Sequence, residues 1–183
     1  MNGISEHELV KAVLRGNPRS ESVLYERFSV PMFRVCLRYA KDRHEAEDML
    51  QEGFLRIYTD LNQFRFEGSL EGWMRKVMIR TALRLLRQRQ SFDQLEALDT
   101  GLIIDEPPEL EPLKTGEAAR IAALMQQLPP GYRSVLNLYA IEGYTHDEIA
   151  ELLEISVGTS KSQLFKARNM LKTLLEKSLS TNI

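Results

Sequence analysis

The chain is poor in the residues that build most catalytic and metal centres. Among its 183 residues are one cysteine, Cys36, and three histidines, His7, His44 and His146. A single thiol forms neither an intrachain disulfide nor a thiolate metal site. The three imidazoles are scattered, without the spacing of metal ligands. There is no phosphate-cradling glycine loop and no nucleophile elbow. An enzyme is therefore not expected, and neither is a metal, a cofactor or a small-molecule substrate. No apolar run approaches the ~18 residues of a membrane span. The segment from Met1 to Val10 is polar and carries Glu6 and Glu8, unlike a signal peptide. A cytoplasmic location without membrane insertion is expected. Strand-like alternation, internal repeats and a dimerising heptad are also missing.

What remains is a helical pattern with unevenly placed charge. Apolar residues make up 43% and charged residues 27%, as in an ordinary globular protein, and the net charge is −2. That small sum hides three zones, and local fields follow the arrangement rather than the sum. From Arg75 to Arg89 stand six cations (Arg75, Lys76, Arg80, Arg84, Arg87 and Arg89) and no acid. From Asp93 to Glu117 eight acids face one base, Lys114. From Ser156 to Lys177 five cations face one acid. The acidic zone also holds Gly101, Pro107, Pro108 and Pro112 and lacks a sustained helical stripe, so it reads as a linker. The expected architecture is all-α: two small helical domains, 1–91 and 116–183, joined by the acidic, proline-bearing segment 92–115.

Local signals place the helices. Ser5-x-x-Glu8 and Asp42-x-x-Glu45 are capping signatures. Gly16-Asn17-Pro18 breaks the first helix. Pro31 is expected to start or kink a further one. A helix from near Leu70 to Arg89 places Lys76, Arg80, Arg84 and Arg87 four, four and three apart. At about 100° per residue that is one cationic stripe with Trp73 near it, while Met74, Val77, Met78, Thr81 and Leu85 point to a core. The preceding loop carries Phe64 and Phe66 among glycines. Two readings are open there: the rings fill a core, or bases stack on them while cations hold phosphates.

The sharpest motif is the stretch from Tyr144 to Leu171. Thr145-x-x-Glu148 is a capping box, and Ile149, Leu152 and Leu153 form an apolar face. Small Ala150 admits a close neighbour, and the turn Glu154-Ile155-Ser156 leads into a second helix. That helix has Val157, Ser160, Leu164, Ala167 and Leu171 inside. Thr159, Lys161, Ser162, Lys166 and Arg168 are expected at the solvent face. This is a helix-turn-helix pattern. Glu154 stands where such turns often carry glycine, so a strained turn is expected.

Taken together, the chain resembles the extracytoplasmic-function (ECF) class of bacterial RNA polymerase sigma factors. The resemblance rests on "HEAEDMLQEGFLRIYTDLNQFRFEGSLEGWMRKVMIRTALRLLR", similar to the family's second region, and "LMQQLPPGYRSVLNLYAIEGYTHDEIAELLEISVGTSKSQLFKARNML", similar to its fourth. It implies a non-enzymatic initiation factor that binds the polymerase core, melts the −10 promoter element with its first domain and reads the −35 duplex with its second. The linker is implied to thread through the core near its active-site cleft. It further implies Asp48, Gln51 and Glu52 as core contacts. For the −10 element it implies a base pocket of Phe64, Arg65, Phe66 and Glu67, followed by Lys76, Arg80 and Arg84, with Trp73 either packing or acting as a wedge. For the −35 element it implies Lys161, Ser162, Gln163, Phe165 and Lys166, with Thr159 and Arg133 on phosphates. An anti-sigma protein is an implied partner. The sequence departs from the family where Arg80 and Arg84 replace a common Asn and Asp, and where Gln163 replaces a common Arg. These departures bear on promoter preference. The residues alone also leave open a free-standing dimeric helix-turn-helix regulator that binds duplex DNA without a polymerase.

Overall fold

A computed structural model describes residues 4–89 and 117–180. The expected linker, 92–115, lies outside the described residues. Among the described residues there are eight α-helices and no strand. The chain divides into two units, Met1–Leu85 and Leu86–Ile183.

In the first unit, helix α1 (Glu6–Leu14) opens with the expected capping box. The Ser5 hydroxyl accepts from the Glu8 N–H, and the Glu8 carboxylate accepts from the Ser5 N–H. Asn17 caps α2 (Pro18–Tyr39), with Pro18 at the first turn where a missing N–H costs nothing. No new helix starts at Pro31: α2 runs through it. Leu24, Phe28, Met32, Val35, Cys36 and Tyr39 form one buried face on both sides of the proline, and that packing outweighs the lost backbone hydrogen bond. Asp42 caps α3 (Arg43–Asp60) by accepting from the Glu45 N–H at 2.8 Å. The Glu45 carboxylate turns back to accept from the Lys41 N–H at 2.6 Å.

Helix α4 (Leu70–Arg89) matches its expected span. Met74, Met78, Ile79, Thr81, Ala82, Leu83 and Leu86 are buried, while Lys76, Arg80 and Arg84 are exposed. The apolar arc therefore covers more than half of the helix circumference, and the cations occupy what is left. Val77 and Leu85, expected inside, are half-buried. The Met78 thioether of α4 packs against Gly53 of α3, where a Cβ would collide with it. Cys36 is fully buried, and burial pushes its thiol up to about 12.

In the second unit, α5 (Glu117–Met125), α6 (Pro130–Ala140) and α7 (His146–Leu153) pack with the long α8 (Val157–Ser180). Pro130 occupies the first turn of α6. The Thr145–Glu148 capping box of α7 is formed. Ser160, Leu164, Ala167 and Leu171 of α8 face the interior as expected. The turn between α7 and α8 places Glu154 in the left-handed region, at φ 57° and ψ 42°.

Two outcomes follow from these contacts. Left-handed backbone costs a residue with a Cβ roughly 1–2 kcal/mol, and glycine avoids most of it. Glu154→Gly is expected to stabilise the second unit by about 1 kcal/mol in urea melts. Gly53→Val is expected to cost about 2 kcal/mol by displacing the buried Met78 side chain, read as an earlier transition in the same melts.

Candidate nucleic-acid interface

The two phenylalanines of the glycine-bearing loop have different environments. After a 3-10 turn at Leu61–Gln63, Phe64 is 8% exposed and Phe66 is 43% exposed. Their ring centroids are 4.8 Å apart, and Phe64 lies 5.7 Å from Trp73 on its other side. Phe66 has a left-handed backbone, φ 59°, and its ring meets His7 of α1 at 4.7 Å. Aromatic pairs in this distance range contribute roughly 0.5–1.5 kcal/mol each beyond area burial. Phe64 is thus packed into the unit, and Phe66 is left partly open to solvent.

The loop closes onto α4 through its own capping contacts. The Ser69 hydroxyl accepts from the Gly72 N–H at 3.1 Å. The Glu6 carboxylate, from α1, accepts from the Leu70 N–H at 3.1 Å. Between the loop and α4 is an open cleft of about 320 Å³, lined by Gln63, Phe64, Arg65, Glu67, Trp73 and Lys76 among others. Three of the four expected pocket residues, Phe64, Arg65 and Glu67, are thereby brought together, with Trp73 beside them. Phe66 stands behind Phe64 rather than in the wall.

A second hollow of about 540 Å³ shares Gln63 and Trp73 and continues to Glu52, Arg56, Arg80 and Arg84. Here the structure joins two sets of residues that the sequence kept apart. Arg84, expected on DNA, pairs with Glu52, expected on the core, at 2.6 Å. Of the other expected core contacts on α3, Gln51 is exposed and Asp48 half-buried.

On the second unit, Lys161 is exposed, and Ser162, Phe165, Lys166 and Arg168 are half-buried on α8. Three of the residues expected on the −35 element are buried, and Thr159, expected at the solvent face, is among them. Thr159 is 7% exposed: its N–H donates to the Ser156 hydroxyl at 2.9 Å, and the two hydroxyls lie 2.8 Å apart, so it completes the cap of α8. Gln163 is 4% exposed, on the side of the helix next to Ala167. Arg133 is 1% exposed, with Nη1 donating to the Gln126 carbonyl at 3.0 Å.

Comparison with known proteins gives these surfaces a context. Residues 24–92 match the profile of Sigma-70 region 2, and residues 118–171 that of Sigma-70, region 4. The chain is 28% identical over 181 residues to the RNA polymerase sigma-H factor of Pseudomonas aeruginosa, covering 93% of this chain and 94% of that protein. It is 26% identical over 183 residues to the ECF RNA polymerase sigma-E factor of Haemophilus influenzae, covering 94% and 96%. The chain belongs to the ECF RNA polymerase sigma factors. The fold agrees: the sigma factor RpoE of Bartonella quintana, solved with the anti-sigma factor NepR, superposes with a TM-score of 0.52. That likeness holds at 18% identity and covers 85% of this chain and 96% of the other.

Members of this family are non-enzymatic initiation factors. Among the described residues of this sigma factor, no group of three or more His, Cys, Asp or Glu could hold a metal ion. None of its described helices is long and apolar enough to cross a membrane.

The sequence reading of this sigma factor missed a cluster at the start of α7. The His146 ring stacks on Tyr139, at 4.7 Å between centroids and 24° between planes, and its Nδ1 lies 2.9 Å from the Ser160 hydroxyl. The Arg168 guanidinium lies 5.7 Å from the Tyr139 ring centre. Desolvation, then the Lys161 and Arg168 charges, lower the His146 pKa, and Asp147 opposes them. The folded unit therefore holds His146 neutral to lower pH than the unfolded chain does. Below about 6.5, the ordinary imidazole value, the unfolded chain binds the extra proton first, so stability falls as pH falls. Urea melts at about pH 7.5 and about pH 5.5 are expected to show a loss that shrinks in His146→Asn, with the neutral amide in place of the imidazole.

Proposed function

We propose that this sigma factor engages the polymerase core through α3 and captures an unstacked base of the −10 element in the cleft beside residues 64–69. We further propose that it reads the −35 duplex with α8. The observation that carries the reading is the ring-walled cleft bordered directly by the cationic stripe of α4. Flipping a base out of the stack costs a few kcal/mol. Stacking on an aromatic wall returns about 1–3 kcal/mol per base, and phosphate contacts at Lys76, Arg80 and Arg84 add to that. Arg84 must share itself with Glu52. Both side chains of that pair are nearly half exposed, so it is worth at most about 1 kcal/mol and yields readily to a phosphate.

On α8, Lys161, Ser162, Phe165 and Lys166 are the residues assigned to the −35 groove. Their placement on one helix suits entry into a major groove, with amino and hydroxyl groups reaching base edges or phosphates. Arg133, Thr159 and Gln163 are assigned to holding that helix in place. An anti-sigma protein is proposed as regulator, by analogy with the Bartonella complex.

Asp48, Gln51 and Glu52 lie three and four residues apart on α3, suited to a basic partner helix. Titration against bacterial polymerase core is expected to give nanomolar-range binding, weakened about 30-fold or more in Asp48→Lys/Glu52→Lys. Because Glu52→Lys also breaks the pair with Arg84, Arg84→Ala serves beside it. That variant is expected to lower promoter opening and leave core affinity intact. Loss of core affinity in Arg84→Ala would remove the charge-contact assignment. Binding to duplex DNA alone, with no affinity for core, would turn the reading to a free-standing regulator.

A further inference from the structure

Helix α1 is not part of the surfaces described above, yet its first two residues touch Phe66 within the loop and Leu70 where the loop enters α4. The Glu6 carboxylate holds the Leu70 N–H at 3.1 Å across 64 residues of sequence. Arg27 of α2 steadies that glutamate, with Nη2 at 3.8 Å from its carboxylate and Nη1 donating to the Ile4 carbonyl at 3.4 Å. One residue later, the His7 ring lies 4.7 Å from the Phe66 ring at an interplanar angle of 56°. Phe66 in turn lies 4.8 Å from Phe64, the ring that lines the cleft, and Phe64 lies 5.7 Å from Trp73. Four rings thus run in series from α1 to α4.

Phe66 is the weak member of that series. Its backbone sits at φ 59°, a conformation that a residue with a Cβ disfavours. The residue is 43% exposed, so burial alone does not hold it. What opposes relaxation is the ring contact on each side, with Phe64 and with His7. Strained backbone persists where its surroundings over-determine it, and here the surroundings are α1.

We propose that His7 is a positioning residue for −10 base capture: by packing on Phe66 it keeps the left-handed loop that sets Phe64 as a wall of the cleft. This inference rests on the base-capture reading of the cleft and adds to it an element, α1, that lies outside the residues assigned to DNA. His7 does not line the cleft. Its effect passes through Phe66, and this separates it from a residue that touches the base.

The test uses holoenzyme reconstituted from polymerase core and full-length variants. The probe is fork-junction DNA with a single-stranded non-template segment carrying 2-aminopurine, on a promoter selected by the native holoenzyme from random-sequence DNA. His7→Ala is expected to weaken binding of the forked probe about fivefold and to reduce the fluorescence change of base capture, with core affinity unchanged. His7→Phe, which restores a ring, is expected to recover both. In a Phe66→Gly background, where glycine takes the left-handed conformation freely, His7→Ala is expected to have no further effect. A His7→Ala loss that persists in full on Phe66→Gly would overturn the proposal. So would wild-type behaviour of His7→Ala while Phe64→Ala abolishes capture; the cleft would then stand without its prop. If Phe64→Ala also left capture untouched, the base-pocket reading itself would fall, and this proposal with it.

Discussion

The surface of the first unit depends on the width of the apolar arc on α4. Met74, Met78, Ala82 and Leu86 recur four apart, and Ile79, Leu83 and Thr81 extend burial around the helix. Burying so much of one helix fixes its rotation about its own axis. The arc left to solvent is narrow, and it holds Lys76, Arg80 and Arg84 with Trp73 at the top. Like charges at such spacing repel, by a few tenths of a kcal/mol per pair. Burial at roughly 0.8 kcal/mol per methylene outweighs that many times over. The core thus holds together a row of cations that would not assemble by itself.

In the second unit the corresponding constraint is the turn at Glu154. The left-handed residue lets α7 end and α8 start within three residues, and Ser156 then caps the new helix through the Thr159 N–H. That geometry brings the first turn of α7 against α8, which is why His146 meets Ser160. The solvent face of α8 is what remains after α5, α6 and α7 have covered the rest.

Much of this was legible in the sequence because the signals are local. Both reciprocal capping boxes, Ser5–Glu8 and Thr145–Glu148, are set by residues three apart, and both form. The limits of α4 and its cationic stripe follow from a period. The readings that failed needed knowledge of what covers a face. Pro31 obeys a local rule that a continuous buried stripe overrides. Gln163 lies about 40° around the helix from Ala167, close enough to the inner arc to be covered once α6 is in place. Periodicity gives the direction of a side chain but not the width of the arc that neighbours bury. The contacts of α1 with the loop were illegible for a plainer reason. They join residues some sixty positions apart, and neither Glu6 nor His7 carries a motif that names its partner.

Cys36 has a consequence of its own. Disulfide exchange and the first step of peroxide oxidation both need a thiolate that an oxidant can reach. The only sulfhydryl of this chain is sealed inside α2's packing and stays protonated at any cellular pH. The folded sigma factor is therefore blind to cysteine-directed oxidants. If its promoters answer to a thiol-directed oxidant, the thiol that reacts is not Cys36 of the folded chain.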